Sequence, residues 1–287
     1  MCPGKMQRSI DKRSLSIVDG NGNFLTNQKG ILPIYSLTKT FIAASIFAAK
    51  INLEERISNW IDKSLVPDAD QISVRHLLNH TSGIRDYGAL VEYNDAIDTG
   101  VPWTDEQFAE HTLQKPLLFN PGQNWSYSNP GYWLLFQIIQ TNTGVGFADY
   151  LQQFIIEPLD LLDTKVATGI FAYDLERYAA EWVWHGLLLS SASDLVKFIR
   201  SDLVKPLLNS SDLVSVPIDH RDWSDPRSAY GLMVDVDRRF GHNGDGPHYS
   251  AACFHFITTN ITACLLTRSE EAGTATEELF RIAANYE

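Results

Sequence analysis

Two kinds of hydrophobic pattern divide the chain. At both ends apolar and polar residues alternate with the period of a half-buried β-strand, whereas in the middle apolar residues recur at helical spacing. Turn residues at Gly20-Asn21-Gly22 separate the first strand from a return strand, and the last two strands form a predicted hairpin. The predicted strands cover residues 14–19, 24–26, 229–236, 250–257 and 261–267.

Helical signals dominate between about Asn59 and Trp182 and also occur on either side of that region. Thr104 and Gln107 have the spacing of a capping box, in which the two side chains cap the first turn of a helix reciprocally. The predicted helices cover residues 36–49, 73–80, 132–141, 147–156, 191–200 and 275–286.

Strands at both ends with helices between them predict an α+β fold. We expect the chain ends to share one antiparallel sheet flanked by helices, and the middle to form an inserted helical lobe. The expected single domain spans residues 1–287, with a sheet lobe from about 1–58 and 183–287 and a helical lobe over about 59–182. A cleft between two lobes is a preferred place for a binding site.

Composition excludes several classes of protein. Hydrophobic residues make up 44% of the 287 residues, which is enough for a buried core and too much for a disordered chain. The 23 basic and 35 acidic residues give a formal net charge of −12, which repels phosphate backbones, so nucleic acid is not an expected partner. The longest apolar stretches, such as residues 41–49, are well short of the ~20 residues that span a bilayer, so we expect no membrane span.

The amino terminus and the cysteines bear on the compartment. The first eight residues contain no apolar segment of a secretory signal, so we expect a cytoplasmic protein, or a periplasmic or extracellular one if a signal was removed. Cys253 and Cys264 flank a predicted turn near residues 258–260 and could face each other across a hairpin, as free buried thiols or as a disulfide. Cys2 stands alone near the terminus.

The pattern Ser-x-x-Lys occurs twice, at Ser9-Ile-Asp-Lys12 and at Ser36-Leu-Thr-Lys39. Ser9 lies in a polar, charged terminus, whereas Ser36 opens an apolar helix, so Ser36 is the candidate nucleophile. Because residues three apart share a helix face, Lys39 can lie beside the Ser36 hydroxyl. A serine becomes nucleophilic when a base takes its proton, and lysine can be that base if burial lowers its pKa. The alternative is a serine helix cap followed by an exposed lysine.

Two further short patterns, Tyr127-Ser128-Asn129 and His242-Asn243-Gly244, occur once each. Turn formers on both sides place Tyr127 on a loop, where its phenol could pass protons while Asn129 binds a substrate amide. His242 ends a predicted strand among glycines, which let a ligand approach the backbone, and an exposed strand edge could pair with an extended substrate. The alternatives are a packed tyrosine with Asn129 capping the next helix, and an ordinary glycine-rich turn.

In this order the three patterns resemble the Ser-x-x-Lys, Ser-Asp-Asn and Lys-Thr-Gly motifs of β-lactamases and penicillin-binding proteins. With Tyr-Ser-Asn and His-Asn-Gly as the second and third elements, the chain resembles the class C β-lactamase branch and its relatives among D-alanyl-D-alanine carboxypeptidases, D-aminopeptidases and serine esterases. The resemblance covers most of the chain. It includes residues 72–84, 121–129, 186–195 and 230–232.

The resemblance implies a β-lactamase/transpeptidase-like fold and a role for each residue of the first two motifs. Ser36 would be acylated, and Lys39 and Tyr127 would share the proton transfers. Asn129 would orient the substrate amide. These roles together imply a serine acyl-enzyme hydrolase that acts on a D-amino-acid peptide, amide or ester.

The third motif departs from the family pattern. His242 would stand where many relatives have a lysine near the substrate carboxylate, and histidine is a weaker, pH-dependent anchor. The backbone N–H of Asp245, beside Gly244, would complete an oxyanion hole with that of Ser36. The Asp245 carboxylate near the cleft would disfavour substrates with a free carboxylate and favour neutral esters or free amines. Alternatively, it points into solvent and only shapes the turn.

Two other functions remain open from the sequence: a short-chain carboxylesterase, and a catalytically poor protein that binds β-lactams or peptidoglycan fragments. We expect a small-molecule or peptide substrate and no cofactor. His76 and His80 have the i, i+4 spacing of zinc ligands, but no acid lies between them in a His-Glu-x-x-His arrangement, so we expect no metal. The sequence gives no indication of oligomeric state.

Overall fold

Strands lie mainly toward the two ends of the described structure, and helices lie mainly between them. A computed structural model describes residues 11–99, 101–167, 180–217 and 222–286. The strands are β1 Arg13–Val18, β2 Phe24–Gln28, β3 Leu32–Pro33, β4 Lys165–Val166, β5 Leu188–Ser190, β6 Val214–Ser215, β7 Pro226–Ser228, β8 Met233–Asp235, β9 Arg239–Gly246, β10 Tyr249–Phe256 and β11 Ile261–Arg268.

The α-helices are α1 Thr38–Ala48, α2 Val74–Leu78, α3 Val91–Thr99, α4 Asp105–Phe108, α5 Asn129–Thr143, α6 Phe147–Leu151, α7 Ala192–Ile199 and α8 Thr274–Ala283. Helices α4 and α6 continue into π-helical turns at Ala109–Leu113 and Gln152–Ile156. Short 3₁₀ turns occur at Tyr35–Leu37, Ile57–Asn59, Ala180–Trp182, Lys205–Leu208, Ser210–Asp212 and Ala284–Tyr286.

Eight strands form one antiparallel sheet in the order β2-β1-β11-β10-β9-β8-β7-β6. Strand β1 pairs with β11, with Ser16 opposite Cys264, so the two ends of the chain share this sheet as the sequence predicts. Strands β10 and β11 form the predicted hairpin. The mixed arrangement of helices and antiparallel sheet confirms the predicted α+β class. A second, three-stranded sheet, in the order β3-β5-β4, was not predicted.

Successive side chains of a strand point to opposite faces of the sheet. In the large sheet both faces carry apolar side chains, and helices cover both faces. In β10, Ala252, Phe254 and Phe256 pack in a smaller core with residues of α8. Ala251 and Cys253, whose side chains point to the opposite face, belong to the larger core, which also contains residues of α1, α5 and α7. The 3₁₀ turn before α1 also lies on this second face.

The structure corrects two predicted elements. Residues 229–236 are not one strand, because a turn closed by a hydrogen bond from the Ala229 N–H to the Leu232 carbonyl separates β7 from β8. Its residues are buried, so the apolar run reflects burial rather than β-structure. Ser36 does not start the α-helix: it lies in the 3₁₀ turn Tyr35–Leu37, and α1 follows from Thr38.

Other boundaries shift by a few residues. The division into lobes near residues 58 and 182 remains a prediction. Within the described ranges, no helix combines the length and apolar character needed to cross a membrane.

Candidate active site

Ser36 lies where the 3₁₀ turn Tyr35–Leu37 packs against β9. The contact requires glycine in the strand: a Cβ on Gly244 would lie 2.2 Å from the carbonyl oxygen of Ile34 and 2.8 Å from the backbone nitrogen of Ser36. A Cβ on Gly246 would likewise lie 2.2 Å from the Tyr35 ring. The third sequence pattern therefore places its glycine directly against the backbone of the candidate nucleophile.

Two polar side chains converge on the Ser36 hydroxyl. Lys39 Nζ lies 3.0 Å from Ser36 Oγ, and the Tyr127 hydroxyl donates to the same oxygen at 2.8 Å. The 3₁₀ turn and the first turn of α1 keep Ser36 and Lys39 on one side, as the Ser-x-x-Lys spacing predicts. Tyr127 reaches the same point from the loop before α5. The structure thus brings together residues 91 positions apart in sequence.

The charge state of this cluster follows from its burial. Lys39 is fully buried, and burial lowers its pKa well below the usual range, although the Asp86 carboxylate opposes the shift. Burial also raises the pKa of the Tyr127 phenol above its usual range. Both shifts favour the neutral forms, a free amine and an intact phenol. An amine with a lone pair next to Oγ is the form that can accept the serine proton.

Asn129 begins helix α5 and is held by a carboxylate that sequence reasoning missed. Its backbone N–H donates to Asp86 Oδ1 at 2.7 Å, and that of Gly88 donates to Oδ2 at 3.0 Å. Burial raises the pKa of Asp86. The side-chain Oδ1 of Asn129 is buried without a hydrogen-bond partner in the described part of the chain, and Asn129 lines the cavity. An acceptor is therefore available for a ligand N–H.

His80 fixes the loop that carries Tyr127. Its carbonyl accepts from the Ser126 N–H at 2.9 Å, and its Nδ1 accepts from the Ser128 N–H at 3.1 Å. The imidazole also packs on the Tyr127 ring, with centroids 4.5 Å apart. Nδ1 of His76 accepts from the Ser73 N–H in a helix-capping box. Each histidine of the i, i+4 pair thus has a backbone partner of its own.

His242 is buried beside this cluster, and its Nδ1 bonds the carbonyl of Asn243. Burial lowers the pKa of His242 to about 4. At neutral pH the ring is therefore uncharged. The sequence suggested a weak, pH-dependent anchor for a carboxylate, but burial removes the positive charge on which such an anchor depends.

His185 is a neighbour of Lys39 that the sequence analysis did not identify. Its Nε2 lies 3.1 Å from Lys39 Nζ, and its ring is buried. The residue follows the apolar run Trp182-Val183-Trp184 and directly precedes the family-like segment 186–195. A histidine in an apolar stretch is the signal that could have drawn attention to it.

The Asp245 carboxylate is held by three hydrogen bonds within the fold, and Asp245 lies in strand β9 rather than in a turn. Oδ1 accepts from Ser250 Oγ at 2.6 Å and from the Gly273 N–H at 2.8 Å, and Oδ2 accepts from Asn243 Nδ2 at 2.9 Å. Gly273 is the residue that caps α8. Asp245 therefore joins β9 to the start of α8 while still lining the cavity.

A cavity of about 600 Å³ opens beside Ser36. Its lining includes the acidic residues Asp222, Asp245 and Glu277, and no lysine or arginine of the described residues lines it. The remaining lining residues are Ser36, Trp125, Tyr127, Asn129, Trp223, Met233, His242, Asn243, Gly273, Thr276 and Phe280. Strand β9 pairs with β8 only over residues 239–241. In the described structure, the β8-facing edge of residues 242–246 therefore has no neighbouring strand. Ser9 of the other Ser-x-x-Lys pattern lies outside the described residues.

Comparison with known proteins gives matches over most of the chain. A family model described as beta-lactamase matches residues 22–286. Penicillin-binding protein 4* of Bacillus subtilis (strain 168) is 24% identical over an alignment 281 residues long, which covers 84% of this chain and 61% of that protein. A D-aminopeptidase of Brucella anthropi is 27% identical over 146 residues, covering 50% of this chain and 28% of the enzyme.

A solved structure has the same fold. The crystal structure of D-amino acid amidase from Ochrobactrum anthropi SV3 gives a TM-score of 0.76 at 21% identity, covering 96% of each chain. The chain itself spans less than two thirds of the length of the two curated relatives. Together these matches confirm the resemblance and the fold that the three motifs indicated.

Proposed function

This chain belongs to the beta-lactamase family, and we propose that it is a serine hydrolase that cleaves D-amino-acid amides or short peptides through an acyl-enzyme. The observation that carries the proposal is the convergence of Lys39 Nζ and the Tyr127 hydroxyl on Ser36 Oγ, at 3.0 and 2.8 Å. A buried neutral amine, an intact phenol and a serine hydroxyl supply the base, the acid and the nucleophile of acyl transfer.

Acylation would proceed with one proton passing through this cluster. Ser36 Oγ bonds to the substrate carbonyl carbon while its proton moves to Lys39 Nζ. The backbone N–H groups of Ser36 and Asp245 stabilise the oxyanion, an effect worth about 3 kcal/mol per donor. The C–N bond then breaks, and the leaving amine takes a proton from the Lys39–Tyr127 pair, which regains its starting state.

Deacylation repeats these steps with water as the nucleophile. The pair removes a proton from water as its oxygen bonds to the ester carbon, and that proton returns to Oγ when Ser36 leaves. During both half-reactions the unpartnered Oδ1 of Asn129 accepts a hydrogen bond from a substrate N–H.

The charges around the cavity favour a substrate with a free amino group. Asp222, Asp245 and Glu277 line it, and neutral His242 offers no positive charge to a carboxylate. At an effective dielectric of ~20, two unit charges 4 Å apart interact by about 4 kcal/mol, and solvent exposure reduces this. Amides of D-amino acids with a free amine therefore suit the site better than penicillins. The D configuration rests on the named aminopeptidase and amidase.

A panel of five compounds tests the proposal: D-alanine p-nitroanilide, its L enantiomer, its N-acetyl derivative, benzylpenicillin and p-nitrophenyl acetate. We expect the highest kcat/KM for the free-amine D compound and a clear loss on N-acetylation. If only the acetate ester is hydrolysed, the proposal is wrong and the protein is a carboxylesterase. If benzylpenicillin forms a long-lived adduct and no compound is turned over, the proposal is wrong and the protein is a β-lactam-binding protein.

We also propose a cytoplasmic location, with a periplasmic or extracellular one as the alternative. Cys253 and Cys264 lie opposite each other on β10 and β11, and both are free thiols, as expected in a reducing compartment. Thiol titration of denatured, unreduced protein from its native source should count all 3 cysteines. A count of one would favour the alternative.

A further inference from the structure

We propose that His185 is a positioning residue for the base of the reaction. Its imidazole holds Lys39 Nζ against Ser36 Oγ and accepts a hydrogen bond from the ammonium that forms when Lys39 takes the serine proton. The proposal rests on the proposed function, because that proton transfer belongs to the acylation of Ser36.

The geometry places Lys39 Nζ between the serine and the imidazole. Nζ is 3.0 Å from Ser36 Oγ, 3.1 Å from His185 Nε2 and 3.5 Å from His185 Nδ1. In the described part of the structure, Ser36 and His185 are the two residues within hydrogen-bond distance of Nζ. Lys39 and His185 have exposed fractions of 0% and 3%, so no solvent replaces a missing partner.

The groups around Lys39 explain why a neutral acceptor matters. The ring centroids of Tyr127 and Tyr132 lie 5.0 and 5.7 Å from Nζ. The other titratable groups that act on it electrostatically are Asp86, His80 and His242. Asp86 already accepts two backbone N–H groups. His185 is therefore the nearest group that can accept a hydrogen bond from the ammonium once Oγ has become an ester oxygen.

The imidazole is in the state that this role requires. Burial lowers the pKa of His185 well below its usual range, so the ring is neutral and carries one N–H and one lone pair. A hydrogen bond with the backbone of Tyr35 favours the protonated ring and therefore uses the N–H. The lone pair is left for Lys39.

The chain on both sides of the serine holds His185 in place. His185 lies just before β5, and the carbonyl of Leu188 accepts from the Ile34 N–H at 3.0 Å. The Leu188 N–H donates to Thr38 Oγ1 at 3.3 Å. Residues 34 and 38 flank the 3₁₀ turn that carries Ser36, so the segment of His185 is tied to the turn whose base it positions.

The test compares the wild type with His185→Phe, which keeps the ring size without an acceptor, and His185→Gln, which restores a carbonyl acceptor. The rate of fluorophosphonate labelling of Ser36 is read by intact mass, and kcat/KM for D-alanine p-nitroanilide is measured from pH 5 to 10. We expect the Phe variant to be slower by roughly 10- to 100-fold. The acid limb of its kcat/KM profile should move to lower pH by about one unit. The Lys39 ammonium has lost its hydrogen-bond acceptor, so the pKa of Lys39 falls further. The Gln variant should recover most of the rate and the wild-type limb.

If His185 had only a structural role, both variants would have a lower melting temperature and an unchanged acid limb of the kcat/KM profile. That result overturns the proposal. If the Phe variant does not fold, ¹⁵N NMR of histidine-labelled wild type decides: a neutral ring with a hydrogen-bonded lone-pair nitrogen supports it, and an imidazolium at pH 7 overturns it. Failure of the wild type to label at Ser36 would refute the proposed function. Normal labelling of both the wild type and the Phe variant would refute only the role of His185.

Discussion

The backbone of Gly244 runs so close to Ser36 that an added Cβ would lie 2.8 Å from the Ser36 nitrogen. The strand that carries the third motif therefore sets the position of the residue in the first motif. In the proposed mechanism, the oxyanion is held by N–H groups on these two segments, so their spacing sets the size of the oxyanion hole.

Gly244→Ala tests this spacing. The methyl group must displace Ile34 and Ser36, and we expect a loss of roughly 100-fold in kcat/KM, as a misplacement near 1 Å can cause. The matched control is Gly146→Ala, whose Cβ would lie 3.8 Å from Asp149 Oδ2, an ordinary van der Waals distance. The control should keep wild-type activity. Full activity in Gly244→Ala would mean that the two segments can separate without consequence.

Lys39 and Tyr127 are expected to act as one proton-transfer unit, because both contact the same oxygen. Residues that act as a unit have non-additive effects on rate. The double variant Lys39→Ala/Tyr127→Phe should therefore be little slower in acylation than the poorer single variant. Losses that multiply would indicate that the two side chains work independently.

Acid should destabilise the fold through His242. Its pKa is about 4 in the folded protein and ~6.5 when unfolded, so between these values the unfolded state binds more protons. The His242 contribution leaves the free energy of unfolding unchanged above about pH 6.5. As the pH falls towards 4, it lowers that free energy by about 3 kcal/mol in total.

Urea unfolding of the wild type and His242→Gln at pH 7.5, 5.5 and 4.5 measures this effect. The free energy of unfolding should fall less steeply with decreasing pH in the variant. Parallel curves would show that His242 does not carry the predicted pH dependence.

Glu277 offers a test of charge selection that leaves the fold intact, because it is an exposed residue of α8 that lines the cavity. Glu277→Gln should lower kcat/KM for D-alanine p-nitroanilide and leave that for its N-acetyl derivative unchanged. Glu110→Gln, which makes the same change away from the cavity, is the control. Equal effects of Glu277→Gln on both substrates would contradict recognition of the amine. Asp245 is less suitable, because its carboxylate also caps the start of α8.

The sequence predicted what depends on local periodicity. The Ser36–Lys39 pair follows from residue spacing, and the β10–β11 hairpin from alternation and a turn. Contacts between distant segments left no local signal. Asp86 accepts a hydrogen bond from Asn129, 43 positions later in the sequence. His185 lies within hydrogen-bond distance of Lys39, 146 positions away, and Gly273 donates to Asp245, 28 positions away. Burial then set the charge of His242, which a residue type alone does not fix.

The most direct test of the central claim is the site of covalent modification. The wild type, Ser36→Ala and Ser9→Ala are each treated with a fluorophosphonate, and the adduct is located by intact mass and peptide mapping. The account predicts one adduct, on the peptide that contains Ser36, in the wild type and in Ser9→Ala, and none in Ser36→Ala. An adduct of the same mass in Ser36→Ala would contradict Ser36 as the nucleophile.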